Sequence, residues 1–383
     1  MSTTYRVMGT TPLGLEAIAA REIRQLGYEC TVENGRIAFQ ADAKGIALCN
    51  LWLRTVDRIL IIVGEFTATT FDDLFEGTKA LPWSDLLPRD ARFPVEGRSV
   101  KSQLSSVPAC QSIVKKAIVD KLQLRHGEGW LSESGDLYPL EVSILKDVVT
   151  ITLDTSGAGL HKRGYRTKNG PAPIKETLAA ALVLLSRWEP HRPFADILCG
   201  TGTIAIEAAM YGRHVAPGLY RSFSAERFDF LEEGIFEEVR KEAQSKVLPK
   251  SDVPILAYDL DPQAIELAKY HARQAGVEDS ITFKVQEAAV FYPKIDYGCL
   301  ISNPPYGERL GDDQSVRSLY QELGQVAKVL PTWSFFIITS HPQFERLFGK
   351  RAEKKRKLYN ARMECQYYQY LGPLPPRQKP ATP

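Results

Sequence analysis

The chain has 383 residues, 44% of them hydrophobic and 25% charged, with 48 basic against 46 acidic side chains for a net charge of +2. At roughly 100–200 residues per domain, two or three domains are expected, each able to bury a core. The near-balance of charge excludes a histone-like polycation, so any nucleic-acid contact has to come from local clusters. No run approaches the ~18 consecutive apolar residues of a membrane span. Residues 1–6 lack the basic-then-apolar pattern of a secretory signal, and a cytoplasmic protein with no membrane partner is expected. The six cysteines include no Cys-x-x-Cys and no close Cys/His pair, so neither a disulfide framework nor a metal site is predicted.

In chain order, apolar residues Leu15, Ile18, Ala19, Ile23 and Leu26 mark one face of a helix that Gly27 stops. Residues 28–32 and 36–39 flank Asn34-Gly35, a hairpin signal in which both turn positions favour positive φ. A strand over 57–63, a helix over 106–124 and a hairpin over 137–153 complete an α+β first half. Residues 155–173, rich in Gly, Pro and basic side chains, read as a linker. Residues 176–188 are apolar nearly all round and predict a buried helix. Strands then follow at 194–198, 255–258, 281–285, 298–301 and 333–339, with helices between them. The helix over 262–275 has Asp261 placed as N-cap, Pro262 in its first turn and Gly276 as its stop. This alternation predicts a mostly parallel, doubly wound sheet with its ligand beyond the carboxyl ends of the strands.

The stretch Asp196-Ile-Leu-Cys199-Gly200-Thr-Gly202-Thr203 falls at such an end. Gly200 and Gly202 permit close approach of backbone to a ligand. A nicotinamide dinucleotide would require an acid about 20 residues later in a compact unit. The next strand-terminal acids, Asp259 and Asp261, lie 57 and 59 residues past Gly202. S-adenosylmethionine fits better: Asp196 suits its ammonium, and Asp259, followed by Leu260, suits two ribose hydroxyls because each carboxylate oxygen has spare lone pairs. Asp261 competes for that role but also for the N-cap. Glu287, after the third strand, is a candidate for the adenine amine or simply a solvated acid.

Residues 298–306, Gly-Cys-Leu-Ile-Ser-Asn303-Pro304-Pro305-Tyr306, indicate the reaction. Two prolines fix φ and remove two N–H donors, leaving acceptors. The Asn303 side-chain oxygen and the Pro304 carbonyl can hold the two hydrogens of an exocyclic amine, with Tyr306 as a stacking face for an extruded base.

With these motifs the chain resembles the THUMP-domain RNA methyltransferases, nearest the bacterial 23S rRNA guanine-N2 group. Further landmarks are residues 101–106, 111–117, 160–166 (Leu-His-Lys-Arg-Gly-Tyr-Arg), 172–174 and 303–310. The resemblance implies a Rossmann-like class I methyltransferase domain at 176–383. It also implies a ferredoxin-like segment at 1–65, a THUMP RNA-binding domain at 66–159 and a basic linker at 160–175. It further implies S-adenosylmethionine as cofactor, with 23S rRNA favoured over tRNA as partner. Asn-Pro-Pro-Tyr also occurs in adenine-N6 methyltransferases and does not choose the base; Glu287 stands where many relatives carry Asp. Charge clusters fit an RNA partner. Residues 79–125 hold nine basic and four acidic side chains, and 161–175 hold Lys162, Arg163, Arg166, Lys168 and Lys175 without an acid. Residues 346–362 hold eight basic side chains against Glu353 alone.

Overall fold

A computed structural model describes residues 3–126, 132–168, 174–305 and 313–376. Tyr306 and the rest of its motif to Leu310 lie outside the described residues, as do Ala172 and Pro173. Contacts group the chain into two compact units: Met1–Thr11, Ala19–Leu160 and Arg221–Glu242 form one, and Pro12–Ile18, His161–Tyr220 and Ala243–Pro383 form the other.

The first unit is built on one seven-stranded sheet. In chain order its elements are β1 (Tyr5–Thr10), α1 (Glu16–Gln25), β2 (Cys30–Glu33), β3 (Arg36–Ala41), α2 (Ala43–Trp52), β4 (Arg58–Thr67), α3 (Phe71–Lys79), α4 (Trp83–Leu86), β5 (Val95–Val100), α5 (Val107–His126), β6 (Leu140–Leu145) and β7 (Val148–Asp154). The strand order is β2-β3-β1-β4-β7-β6-β5. The β2–β3 hairpin forms on Asn34-Gly35, but only Gly35 takes a left-handed φ, +72°. β4 pairs antiparallel with β1 on one edge and with β7 on the other, so the expected ferredoxin-like and THUMP segments share one continuous sheet. β1, α2, α3, α4 and β5 carry no sequence signal used above; β1 buries three successive residues, Val7, Met8 and Gly9, and therefore shows no alternation.

The start of the expected linker is no loose connection. Thr155 and Ser156 are fully buried, and their hydroxyls are satisfied within a polar network. Asn50 Nδ2 donates to Thr155 Oγ1 (2.8 Å), Thr155 Oγ1 donates to the Ile59 carbonyl (2.6 Å), and Ser156 Oγ donates to Asn50 Oδ1 (2.7 Å). Burial of polar groups is tolerated where every one has a partner.

Residues 221–242 belong to this first unit although they fall inside the expected 176–383 domain. Phe228 stacks on Tyr138 with ring centroids 4.7 Å apart, Phe230 meets Tyr5 at 5.7 Å, and Arg221 donates to the carbonyls of Ser156 (3.1 Å) and Gly159 (2.8 Å). A fragment starting at Leu160 would strip Phe228 and Phe230 of Tyr138 and Tyr5. Such a fragment is expected to aggregate while the full chain stays monodisperse in size-exclusion chromatography; a monodisperse fragment would mean that these contacts contribute little.

The second unit carries α6 (Glu176–Leu185), β8 (Phe194–Asp196), α7 (Thr203–Gly212), the later part of α8 (Ile235–Ser245), β9 (Ile255–Asp259), α9 (Pro262–Gln274), β10 (Ile281–Val285), β11 (Cys299–Ser302), α10 (Asp313–Val329), β12 (Ser334–Thr339), α11 (Phe344–Phe348), β13 (Lys354–Asn360) and β14 (Met363–Tyr370). The order is β10-β9-β8-β11-β12-β14-β13, parallel from β10 to β12, with β14 antiparallel to β12 and β13 antiparallel to β14. The order reverses beside β8, which puts the crevice at the carboxyl ends of β8 and β11. The β13–β14 hairpin is absent from the expected strands because Lys354-Lys-Arg-Lys357 reads as a charge cluster; it is a charged edge strand, which discourages pairing with another chain. Among the described residues no helix is long and apolar enough to cross a membrane.

Candidate active site

A cleft of about 910 Å³ opens at the predicted edge, and Asp196, Cys199, Gly200, Thr203, Asp259, Leu260, Glu287 and Asn303 all line it. Gly202 does not. It takes φ +81°, where L side chains are strained, and a Cβ there would stand 2.9 Å from the Ala268 Cβ on α9, so conformation and helix packing both demand glycine. Gly200 takes φ +51°, and a Cβ there would meet nothing within 4 Å, so conformation is what demands glycine at that position.

β8 ends at Asp196, two residues earlier than expected, and the N–H of Leu198 turns back to the Asp196 carboxylate while that of Cys199 bonds the Tyr258 carbonyl. Asp196 is fully buried; Oδ1 accepts from Ser302 Oγ at 2.6 Å and from the Leu198 N–H at 3.3 Å. Burial pushes its pKa up to about 7, the Asp259 charge adds to the rise, and the two hydrogen bonds oppose it. Ser302 is the last residue of β11, neighbour to β8, and sits immediately before Asn303. Its role is invisible without knowing that these strands are adjacent.

Asp259 closes β9. Its Oδ2 accepts from the Gly200 N–H at 2.7 Å and its Oδ1 from the Asp261 N–H at 3.0 Å, so one carboxylate shapes the glycine loop. Asp261 accepts from the Gln263 N–H at 2.8 Å as the N-cap of α9, which takes up its side chain. Asp259→Ala removes an ionised acceptor and the brace of the loop together. Cofactor affinity is expected to fall about tenfold or more by calorimetry, hydrogen bonds to charged groups being worth about 1.5–3 kcal/mol. Unchanged affinity would transfer the role to another acid.

Leu260 is 64% exposed, an apolar side chain left bare at the cleft wall. Glu287 is exposed, and α10 adds Ser315, Leu319 and Glu322 to the lining, none of which the sequence singled out. Burial and the neighbouring carboxylates raise the Cys199 thiol, which fits a wall residue and not a nucleophile.

Asn303 leaves β11 with Oδ1 buried and without a hydrogen-bond partner among the described residues. A buried acceptor without a partner costs free energy unless a ligand donor meets it. The loop is braced from below: Tyr320 Oη donates to the Pro305 carbonyl at 3.4 Å and shares a hydrogen bond with Thr339 Oγ1 at 2.8 Å. Tyr320 sits on the apolar face of α10, where nothing in the sequence separates it from ordinary core.

The basic clusters divide on inspection. Arg163 is buried and lies 3.4 Å from Glu207 Oε1, and Arg166 lies 3.5 Å from Glu176 Oε1, so acids outside the 161–175 segment neutralise two of its five charges. In 346–362, Lys350, Lys355 and Lys357 pair with Glu353, Glu345 and Glu364, while Arg346, Lys354 and Arg362 form no ion pair among the described residues.

A sheet of this order, with a glycine loop after its central strand, an acid closing the next and Asn-Pro-Pro beyond the neighbouring one, defines a Rossmann-like class I methyltransferase domain. Family models agree: residues 163–369 match an RMKL-like methyltransferase domain, 6–60 an RlmL ferredoxin-like domain and 68–154 a THUMP domain. The chain belongs to the RMKL-like methyltransferase family, with S-adenosylmethionine as its methyl donor. YpsC of Bacillus subtilis (strain 168), provisionally named an RNA methyltransferase, is 48% identical over 377 residues, 98% of each chain. The solved structure of a Listeria monocytogenes str. 4b F2365 protein, described as a predicted N6-adenine-specific DNA methylase, is 52% identical with a TM-score of 0.92 over 97% of each chain. SMU.472, provisionally described as a methyltransferase and solved with S-adenosylhomocysteine, is 45% identical with a TM-score of 0.93 over 99% of this chain and 100% of its own. The residues present fit such a donor: a buried acid, a glycine loop braced by a second acid, and a bare apolar wall share one cleft.

Proposed function

We propose that this protein methylates the exocyclic N2 amine of a guanine in RNA, with 23S rRNA favoured over tRNA. The observation that carries amine methylation is Asn303 Oδ1, a buried acceptor without a partner among the described residues, in the donor's cleft. When bound, S-adenosylmethionine supplies a sulfonium-activated methyl group. Asp196 would hold the ammonium of that cofactor and Asp259 its ribose hydroxyls, with Leu260 and Glu287 available to its adenine. Asn303 and the Pro304 carbonyl accept the two amine hydrogens. Their pull would draw the nitrogen out of conjugation with the ring and leave its lone pair free to take the methyl group as the carbon–sulfur bond breaks to give S-adenosylhomocysteine, the displaced amine proton passing to solvent. Positioning supplies much of the rate, and no strong base is required. Tyr306, which closes the same motif, is assigned the stacking face for the base.

RNA as the acceptor is supported by the THUMP domain and by the name given to the Bacillus relative. The choice of guanine and of 23S rRNA rests on resemblance to the bacterial guanine-N2 group. The name of the Listeria protein favours a second reading, adenine-N6 methylation of DNA. Incubating the full chain with labelled cofactor and separate samples of rRNA, tRNA and duplex DNA, followed by chromatography of the nucleosides, decides between them. N2-methylguanosine in large-subunit rRNA is the expected product, and N6-methyladenine in any sample would sink the base assignment. Binding of the full chain to RNA is expected to weaken steeply with salt, as Lys and Arg displace counterions from phosphates. A flat salt dependence in a filter-binding titration would remove the basic clusters from the interface.

A further inference from the structure

The segment His161-Lys-Arg-Gly-Tyr-Arg166 is clamped to α7 at two levels. Arg163 and the Tyr165 hydroxyl both meet Glu207 Oε1, at 3.4 and 3.2 Å. One turn nearer the cleft, Arg166 Nη2 donates to Thr203 Oγ1 at 2.8 Å and to the Ile174 carbonyl at 3.2 Å. Thr203 and Ile174 line the cofactor cleft, and Arg166, which is not among the lining residues, bonds to both.

The direction of the Arg166–Thr203 bond has a chemical consequence. A guanidinium has donors only, so the bond must use a lone pair of the threonine oxygen. Thr203 therefore keeps its own hydrogen, and no described residue accepts it. It is also the first residue of α7, a ten-residue helix whose N-cap, Gly202, offers no capping side chain. The donor end of a helix and an O–H held as a donor by Arg166, whose charge Glu176 balances at 3.5 Å, converge on one wall of the cleft, an arrangement suited to a carboxylate. Asp196, on the same cleft, suits an ammonium. Together they match the two charges of an amino-acid moiety.

We propose that Thr203 donates to the carboxylate of S-adenosylmethionine and that Arg166 is the positioning residue that fixes Thr203 as a donor. Glu207, gripped by Arg163 and Tyr165, already anchors α7 to the segment, so the Arg166 bond is not needed to hold the helix in place. The inference rests on the methyl donor and not on the acceptor: a wrong base assignment would leave the affinities below unchanged.

The test compares two ligands by calorimetry on the full chain, S-adenosylmethionine and its decarboxylated form, which keeps the sulfonium, ammonium and adenosine. Arg166→Gln and Thr203→Val should each weaken S-adenosylmethionine about tenfold, the range for losing a hydrogen bond to a charged group. Both should leave the decarboxylated ligand within about twofold, and the double variant should be little worse than either single one, as for two residues acting as a unit. Thr203→Ser, which keeps the hydroxyl, should restore most of the affinity lost in Thr203→Val. Equal losses for both ligands, or no loss for S-adenosylmethionine, would overturn the proposal. Should Arg166→Gln fail to fold, the Thr203→Val and Thr203→Ser pair decides the matter by the same comparison.

Discussion

Asn303→Ala is expected to lower methyl transfer by about 100-fold or more, the size of losing one preorganised polar contact at a reacting centre. Cofactor affinity should stay within a few-fold of wild type. The reason for the split is where the side chain stands. Asn303 Oδ1 has no partner among the described residues, so its removal disturbs no described hydrogen bond, and truncation relieves a buried unsatisfied acceptor. The variant should therefore melt no lower than wild type. The cofactor contacts assigned to Asp196, Asp259 and Thr203 come from other strand and helix ends and remain. Single-turnover rates with saturating cofactor, read beside calorimetry and a thermal melt, separate the three quantities. Normal single-turnover methylation would mean that the amine is held elsewhere.

Asp196→Asn is expected to act in opposite directions on binding and on stability. The carboxyl is buried, and its pKa stands at about 7 against an ordinary value of 3.8. The folded protein thus keeps a proton that the unfolded chain has released between about pH 4 and pH 7. Across that window the ligand-free wild type loses stability as pH rises, and the loss levels off above about pH 7, where both states are ionised. Asparagine has the same shape and no charge to bury, so the variant should lack this slope and melt higher than wild type at pH 8. Binding should show the converse. In the wild type, affinity for the cationic end of the donor should rise with pH toward 7 and flatten above it, as the carboxylate becomes available. In the asparagine variant, affinity should be lower by about 10- to 100-fold at pH 8, the loss of a charge-assisted contact of about 1.5–3 kcal/mol, and nearly independent of pH. Melts and calorimetry between pH 5 and pH 8.5 measure both. A wild-type affinity that does not change across that range would remove Asp196 from the ammonium site.

The fold class and the chemistry of the cleft are local in origin, and local patterns carry them into the sequence. The glycine loop after a strand, the acid ending the next strand and the stiff Asn-Pro-Pro turn each need particular residue types at particular spacings, because backbone conformation and lone-pair number leave few substitutes. Asp261 could be placed as an N-cap for the same reason, since Pro262 and the helical period follow it at once. Tertiary structure decided the features that depend on what lies beside a residue and not before or after it. Ser302 became the partner of Asp196 only because β11 pairs with β8, and Tyr320 became the brace of the Pro305 carbonyl only because α10 packs beneath that loop. Gly202 needs glycine for its own φ of +81° and also for Ala268, some 66 residues away along the chain, whose Cβ leaves no room for another. Charge was the most deceptive property. Arg163 and Arg166 sit in a segment without acids, yet they are neutralised by Glu207 and Glu176 from other elements, because a buried cation must find its anion wherever folding brings one. Residues 221–242 likewise belong by sequence to one domain and by packing to another, since burial of Phe228 and Phe230 against Tyr138 and Tyr5 depends on proximity in space and not on order in the chain.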